Sequence, residues 1–312
     1  MEKEIKSIEI IDKYDCFTIR WYLTDWCNYR CSYCFQNHNK NKPSVEELKN
    51  NSHQIALFIR KNRNRLNNKK IRLSVTGGEV SVFPLVEILQ PILDEGIDIL
   101  SCITNGSGEL GELVVECIKR KIMFSCDVSF HEEYVGIDSF LNKVSALQNL
   151  ASNYKWKVLS VVTNKNIDIQ KKLFESCVSA NIEVCLNYER STIDEGKTFI
   201  LTDEKGIDLI KQSEKLKSFT GLLLEYSDGI IKKYKSRREL ANDLDIDPFG
   251  WYCNINRKMI FIYPDLSVKF AFCMNKSIIH LRDLIIENNE QISCEKHFCS
   301  WCFPCKVING EY

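Results

Sequence analysis

The pattern that most constrains this 312-residue chain is a regular alternation of strand-like and helix-like stretches between Phe17 and Tyr188. Short runs rich in β-branched and aromatic residues fall at 17–24, 71–76, 97–104, 122–130, 157–163 and 182–188. Helix-like stretches at 44–65, 84–93, 109–121, 138–150 and 167–180 separate them. Ser44-Val45-Glu46-Glu47 opens the first of these with a capping-box pattern. Such alternation implies α/β structure and a parallel sheet, because a twisted strand feeding a helix returns to the same sheet by a right-handed crossover. A doubly wound sheet and a barrel both satisfy the pattern. In either, ligands gather at the C-terminal ends of the strands.

The residues at those ends carry the chemistry. The first strand runs into Cys27-Asn28-Tyr29-Arg30-Cys31-Ser32-Tyr33-Cys34, with three thiols in one loop. A cubane of four irons and four sulfides takes one outer ligand per iron, so three cysteines cap three irons and leave one position open. Catalytic metal sites keep an open position and structural sites close it. The competing reading is a zinc knuckle completed by His38. The second strand ends in Gly77-Gly78-Glu79, where a diglycine lets a ligand approach the backbone closely. The third ends in Thr104-Asn105-Gly106-Ser107, which reads either as a turn or as polar ligand contacts. The fourth carries Ser125, Asp127 and Ser129 on one face, with His131-Glu132-Glu133-Tyr134 beyond, and the fifth ends in Val162-Thr163-Asn164.

The three-cysteine loop, with Tyr33 before its last cysteine and Phe35 after, resembles the signature of the radical S-adenosylmethionine (radical SAM) superfamily. In that family the open iron chelates the methionine part of S-adenosylmethionine, and one electron cleaves the sulfonium to a 5′-deoxyadenosyl radical. The cofactor carries the hard chemistry and the protein supplies placement. The resemblance implies that Cys27, Cys31 and Cys34 hold a [4Fe–4S] cluster. It also implies that Tyr33, Gly77, Gly78, Glu79, Thr104, Asn105, Ser129 and Thr163 contact S-adenosylmethionine, with Glu79 accepting from its ammonium. Val80 stands where the family often has proline. Among the two architectures, the resemblance selects a partial (β/α)6 TIM-like barrel.

Composition narrows the setting. Lys+Arg and Asp+Glu are equal at 42 each, so a general nucleic-acid or membrane-surface role gets no support. No apolar run reaches transmembrane length and no signal peptide is legible, which predicts a cytoplasmic protein. Fifteen cysteines in such a chain point to metal ligation rather than disulfides. Six of them, Cys16, Cys102, Cys117, Cys126, Cys177 and Cys185, sit in apolar patterns where free cysteine is usually a small buried hydrophobe. The stretch 190–247 is less regular, with helices expected at 203–219 and 232–242, the second a basic, solvated face.

From Trp251 the texture changes. Cys253 and Cys273 bracket a hairpin at 258–272, and Cys294 is followed by Cys299, Cys302 and Cys305, these three separated by two residues each. Two cysteines around a hairpin followed by Cys-x-x-Cys form a four-ligand kit for a metal. The kit resembles the auxiliary-cluster appendages called twitch and SPASM. That resemblance implies a second [4Fe–4S] cluster on Cys253, Cys273, Cys302 and Cys305, with Cys299 the substitute ligand; a zinc ribbon would use the same thiolates. Leu266 follows Asp265 where the appendages usually have a turn glycine. The expected organisation is a barrel core over 1–195, a connector over 196–250 and a small cysteine-rich β-hairpin/helix module over 251–312.

Relatives with such appendages mostly modify ribosomally made peptides by crosslinking or epimerisation, and a smaller group oxidises alcohols on aminosugars or other small molecules. The resemblance therefore implies a radical SAM enzyme acting on a peptide, with a small-molecule dehydrogenase as the alternative and a non-enzymatic iron–sulfur or zinc scaffold as a distant third. It also implies an electron donor such as flavodoxin or ferredoxin, and room for a separate peptide-recognition protein. Ser129, His131, Cys126 and Cys185 are the candidates for direct work on the substrate.

Overall fold

The computed structural model of the chain describes residues 5–10, 16–34, 41–66, 69–189, 201–215, 222–234, 252–253, 258–270, 279–286, 292–293 and 307–308. Strand β1 (Ile5–Ile10) and strand β2 (Cys16–Thr24) come first. Then follow α1 (Val45–Asn62), β3 (Lys70–Gly77), α2 (Leu85–Asp94), β4 (Ile99–Thr104), α3 (Gly111–Arg120) and β5 (Met123–Ser129). The series continues with α4 (Ile137–Leu150), β6 (Lys155–Val162), α5 (Ile167–Ser179), β7 (Glu183–Tyr188) and α6 (Glu204–Lys215). The rest is strand: β8 (Leu222–Tyr226), β9 (Ile231–Tyr234), β10 (Tyr252–Cys253), β11 (Met259–Ile262), β12 (Ser267–Lys269), β13 (Ile279–His280), β14 (Ile292–Ser293) and β15 (Val307–Ile308).

The chain divides into two compact units: Trp21–Ser52 with Leu73–Ser218, and Met1–Arg20 with His53–Arg72 and Phe219–Tyr312. The first of these holds the alternating strands and helices. Strands β2 to β7 lie side by side in sequence order, and β4, β5, β6 and β7 pair parallel. Sequence order means a singly wound sheet; a doubly wound one reverses direction at a switch point. Helix α1 begins where the capping pattern places it, with Ser44 Oγ accepting from Glu47 N at 3.1 Å. Helix α2 buries Leu85, Ile88, Leu89, Ile92 and Leu93, the 3.6-residue stripe of a helix laid on a sheet. Each such side chain, fully buried, contributes roughly 1.5–3 kcal/mol.

Register decides which strand residues share a face. Across β5, β6 and β7, Ser129 aligns with Leu159 and then Cys185, and Asp127 aligns with Lys157 and then Glu183. The alternate rows run Cys102, Cys126, Trp156 and Thr104, Val128, Val158, Val184. Neighbours in parallel register point to the same side, so Cys185 shares a face with Ser129, and Cys126 lies on the other. Cys126 is 1% exposed, beside Cys102, which in turn feels Cys117 of α3. Burial drives the thiols of Cys102 and Cys126 far up and that of Cys117 up to about 12. These are packing cysteines.

In the second unit β1 pairs antiparallel with β8 on one side and β15 on the other, β8 pairs with β9, and β10 lies between β14 and β15. Two expectations are corrected here. Of the basic helix expected at 232–242, 235–242 lies outside the described residues, and the described part is strand, Ile231–Tyr234 forming β9. Its helix-like charge pattern is overridden by the Asp228-Gly229 turn, with Gly229 at φ +82°, which folds it back on β8 so that Leu222 faces Tyr234. Strand β1 precedes the strand that local pattern makes the first. Its partners lie more than 200 residues away, as Lys6 Nζ to Glu225 Oε1 at 2.6 Å illustrates, and no local window contains them.

The C-terminal hairpin forms as expected, β11 pairing with β12 through Phe261–Lys269 and Ile262–Val268. Leu266 takes φ +60°, the left-handed conformation a turn glycine would supply. It is held there by burial and by Leu266 N to Tyr263 O at 2.9 Å, with Asp265 Oδ1 accepting from Ser267 N at 3.0 Å. Cys253 lies in β10; Cys273, Cys294, Cys299, Cys302 and Cys305, like His38, lie outside the described residues.

The ends of β2 and β3 meet backbone to backbone. Gly78 N donates to Thr24 O at 2.7 Å and Glu79 N to Trp26 O at 2.9 Å. A Cβ on Gly77, already at φ +132°, would stand 2.2 Å from Thr24 O, and one on Gly78 1.9 Å from Trp26 O. We expect Gly77→Ala and Gly78→Ala each to lose more than about 1 kcal/mol in urea unfolding. Gly136→Ala, with nothing within 4 Å of its Cβ position, should stay within about 0.5 kcal/mol of the parent.

Candidate active site

Four strand ends of one unit meet around the cysteine loop. The loop leaves β2 through a tight start in which Thr24 Oγ1 accepts from Trp26 N at 2.9 Å. Cys27 Sγ accepts from Tyr29 N at 3.3 Å, and Arg30 Nη1 turns back onto the carbonyls of Cys27 and Tyr29. Cys34 N donates to Cys31 O at 3.1 Å, closing the last turn. Cys34 lies near enough to raise both Cys27 and Cys31, and Cys27 raises Cys31. Burial pushes Cys27 up, aided by Glu79 and Cys34 and opposed by the Tyr29 N–H. Burial, then Cys34, Glu133 and Cys27, push Cys31 up to about 12.

Glu79, at the end of β3, has no solvent exposure. Its Oε1 accepts from Ser81 N at 2.7 Å and from Thr104 Oγ1, and its Oε2 accepts from Asn105 N at 2.5 Å. The carboxylate therefore fixes the turn after β4. Within that turn Gly106 N donates to Thr104 Oγ1 and Ser107 N to Asn105 Oδ1, each at 2.9 Å. Asn105 Nδ2 reaches Asn28 Oδ1 at 3.0 Å and lies 4.0 Å from Cys27 Sγ, while Asn28 Nδ2 donates to Ser107 Oγ at 2.9 Å. Thus the turn reading and the ligand reading of 104–107 are not exclusive. The turn is what brings Thr104 and Asn105 to the loop.

The segment after β5 answers the cysteine loop residue by residue. Tyr134 stacks on Tyr29 with centroids 4.0 Å apart at 4°, and its hydroxyl accepts from Arg30 N at 2.6 Å. Glu133 accepts from Ser32 N at 3.1 Å and from Ser32 Oγ at 2.5 Å. Glu132 Oε2 accepts from Tyr33 Oη at 3.3 Å, and the same carboxylate takes Asn166 Nδ2 at 2.5 Å and Gln170 Nε2 at 3.3 Å. His131 Nδ1 stands 3.2 Å from Cys31 Sγ and 3.1 Å from Tyr33 Oη, its ring parallel to Tyr33 within 12°. Burial lowers the His131 pKa to about 4, so the ring is neutral at physiological pH, and burial raises Tyr33, which keeps its proton. Sequence inspection singled out His131; the matching of Glu132, Glu133 and Tyr134 to the loop had no local signal.

The remaining candidates take different places. Thr163 caps the turn after β6, its N–H on Asn166 Oδ1 at 2.8 Å and its Oγ1 accepting from Lys165 N at 3.2 Å. Ser129 ends β5 in the row of Leu159 and Cys185. On the same face Lys157 Nζ lies 3.0 Å from Asp127 Oδ1. Burial pulls Lys157 down, but the Asp127 carboxylate more than offsets it, and the ammonium titrates above its ordinary range. Cys126, on the opposite face, is not brought to this group.

No protein-family model matches the chain. Over 98 residues it is 30% identical to an S-adenosylmethionine-dependent nucleotide dehydratase of Psychrobacter lutiphocae, covering 28% of this chain and 32% of that protein. Over 111 residues it is 32% identical to a GTP 3′,8-cyclase of Haemophilus influenzae, covering 33% and 31%. The chain thus spans about a third of the length of the curated relatives it matches. Among solved structures, anSMEcpe with bound AdoMet aligns over 86% of this chain and 78% of its own, with TM-score 0.53 and 13% identity. Streptococcus suis SuiB aligns over 86% and 64%, with TM-score 0.50 and 13% identity. At that identity the likeness is one of fold: an α/β fold built on parallel strands.

Glu79→Gln tests how far the site depends on one carboxylate. The amide would set an N–H against one of three protein donors, and we expect a loss of about 1.5–3 kcal/mol in urea unfolding. An unchanged midpoint would mean that the turn after β4 holds itself. The three-cysteine loop at the end of β2 thus stands in a chain with a partial sequence relative named for its dependence on S-adenosylmethionine, and on an α/β fold shared with anSMEcpe.

Proposed function

We propose that the chain is a radical SAM enzyme that abstracts hydrogen from a peptide substrate, with a [4Fe–4S] cluster on Cys27, Cys31 and Cys34. The observation that carries the reading is the convergence of the cysteine loop with the ends of β3, β4 and β5 in one hydrogen-bonded network. The donor set fits such a cluster. The thiols of Cys27 and Cys31, raised by burial and by their neighbouring cysteines, are relieved by a cationic partner, and metal binding displaces their protons. Among the described residues no three Cys, His, Asp or Glu side chains converge on a point as ligands of a single ion. A cubane, with one thiolate per iron, does not ask for that convergence.

Cys27, Cys31 and Cys34 would hold the cluster, which would supply one-electron reduction of S-adenosylmethionine and through it the hydrogen abstraction. The chain's own residues do the placing. The Tyr29–Tyr134 stack and the buried Tyr33 give the loop an aromatic side. Gly77 and Gly78 hold the loop's root to β3. Glu79 orders Thr104 and Asn105; its expected contact with the ammonium would compete with the three donors it already accepts. Thr104, Asn105, Ser129 and Thr163, at neighbouring strand ends, are the proposed S-adenosylmethionine contacts, alongside Tyr33, Gly77 and Gly78.

The singly wound strand order supports a partial (β/α)6 barrel. The division into a core to residue 195, a connector to 250 and a module beyond is proposed with it. The hairpin β11–β12 and the flanking of β10 by β14 and β15 support an auxiliary cluster module. Cys253 is in β10, and in sequence Cys294 follows β14 by one residue and Cys305 precedes β15 by two. The proposed ligands remain Cys253, Cys273, Cys302 and Cys305, with Cys299 the substitute.

For the substrate, anSMEcpe has been seen with AdoMet and the Kp18Cys peptide, on a fold aligned at TM-score 0.52. A small-molecule substrate is the second reading, favoured by the nucleotide chemistry in the names of the sequence relatives. A flavodoxin or ferredoxin would supply the electron, and a separate peptide-recognition protein fits the scheme. No helix of the described residues is long and apolar enough to cross a membrane. The reducing cytoplasm suits unpaired thiols and iron–sulfur ligation.

Iron and sulfide in anaerobically purified protein, beside a Cys27/Cys31/Cys34→Ala variant, test the reading. About eight irons per chain falling to about four, with 5′-deoxyadenosine formed only by the parent, are expected for two four-iron clusters. About four irons lost entirely in the variant, with zinc retained, would make the C-terminal cysteines structural. Absence of both iron and deoxyadenosine after reconstitution would refute the proposal.

A further inference from the structure

We propose that His131 donates its Nδ1–H to the Sγ of Cys31 and so raises the reduction potential of the cluster held by the cysteine loop. It acts through a ligand, as a positioning residue. The inference rests on the reading that Cys27, Cys31 and Cys34 hold a cluster. It adds a determinant that the three-cysteine motif does not contain.

The geometry is specific. Nδ1 has two neighbours, Cys31 Sγ at 3.2 Å and Tyr33 Oη at 3.1 Å. A ligating thiolate has no proton to give and only accepts. Facing it, Nδ1 carries the ring proton. The Tyr33 hydroxyl is then left to donate to Glu132 Oε2 at 3.3 Å, and every donor in the group has an acceptor. The opposite tautomer would present a bare nitrogen to the thiolate and leave Cys31 without this donor.

The ring is also locked. It lies parallel to Tyr33, with centroids 6.0 Å apart, and meets Tyr29 edge-on at 85° and 5.8 Å. Tyr29 is fixed by its stack on Tyr134, and Tyr134 by Arg30 N. On the other side Glu133 holds Ser32, and Glu132 is held by Asn166 and Gln170 of α5 and the turn before it. A side chain with so little freedom delivers its hydrogen bond without an ordering cost at the moment of reduction. Hydrogen bonds to cluster sulfurs withdraw electron density from them and favour the reduced state, which is one of the levers that set iron–sulfur potentials.

The experiment uses the full chain, anaerobically reconstituted, as parent, His131→Leu, His131→Asn and His131→Gln. The electron paramagnetic resonance signal absent from the Cys27/Cys31/Cys34→Ala variant is assigned to the loop's cluster, and its midpoint is titrated. Leu removes the donor, and the equilibrium constant for one-electron reduction should fall about tenfold, which is about 59 mV. Asn carries an N–H at the place of Nδ1 and should stay within about threefold of the parent. Gln places its amide at the distal nitrogen and should follow Leu. If Leu loses iron, the contrast between Asn and Gln decides in its place. Parent-like midpoints in both Leu and Gln, or equal falls in Asn and Gln, would overturn the hydrogen bond. A parent without the signal, despite full reconstitution, would instead remove the cluster reading on which the inference stands.

Discussion

Glu79 carries a carboxylate to a place with no solvent exposure, and the loops around it are arranged to meet that charge. A buried carboxylate without partners would cost several kcal/mol. Here it takes two backbone N–H groups, from Ser81 and Asn105, and the hydroxyl of Thr104. Hydrogen bonds to an ionised acceptor are about twice as strong as neutral ones. They tie the end of β3 to the end of β4, and Asn105 passes the constraint on to Asn28 in the cysteine loop. The diglycine before Glu79 does the matching work on the other side. With no Cβ on Gly77 or Gly78, the backbone of β3 closes on Thr24 and Trp26 at the root of the same loop.

The loop is thus gripped from two directions. From β3 and β4 the grip is backbone and amide. From the segment after β5 it is aromatic and carboxylate, with His131, Glu132, Glu133 and Tyr134 each meeting a residue between Tyr29 and Tyr33. The two grips have different electrostatic consequences. Burial, then the neighbouring Cys34, Glu133 and Cys27, make the surroundings of Cys31 unfavourable to a free thiolate, and its pKa rises to about 12. A loop so built is stable with neutral thiols and gains most from a cationic partner.

Much of this was legible locally. Alternating patterns located β2 to β7 and the helices between them to within a few residues, because each is stabilised chiefly by the apolar stripe it presents, as in α2. Spacing alone marked the three cysteines, and the strand ends marked Gly77 to Glu79 and Thr104 to Ser107. Local reading failed where partners are distant. Strand β1 exists because β8 and β15 flank it, and β9 because a turn returns it to β8 against the charge pattern of its own residues. Leu266 shows the reverse case. A missing turn glycine suggested a departure, yet burial and the Asp265 side chain hold a leucine in the conformation glycine would take.

The sequence by itself determined the singly repeated unit of strand, helix and strand end, the three-thiol loop, and the positions from which ligands could be offered. These are matters of period and spacing, which depend on near neighbours in the chain. Only the tertiary structure decided what those positions do for one another. It placed Cys126 on one face, beside Cys102, and Cys185 on the other, in the row of Ser129, because register across parallel strands sets a side chain's face. It turned Glu79 inward on three donors, and it set His131 against Cys31, 100 residues away in the chain. Burial and hydrogen-bond geometry across such separations arise only when the strands have paired.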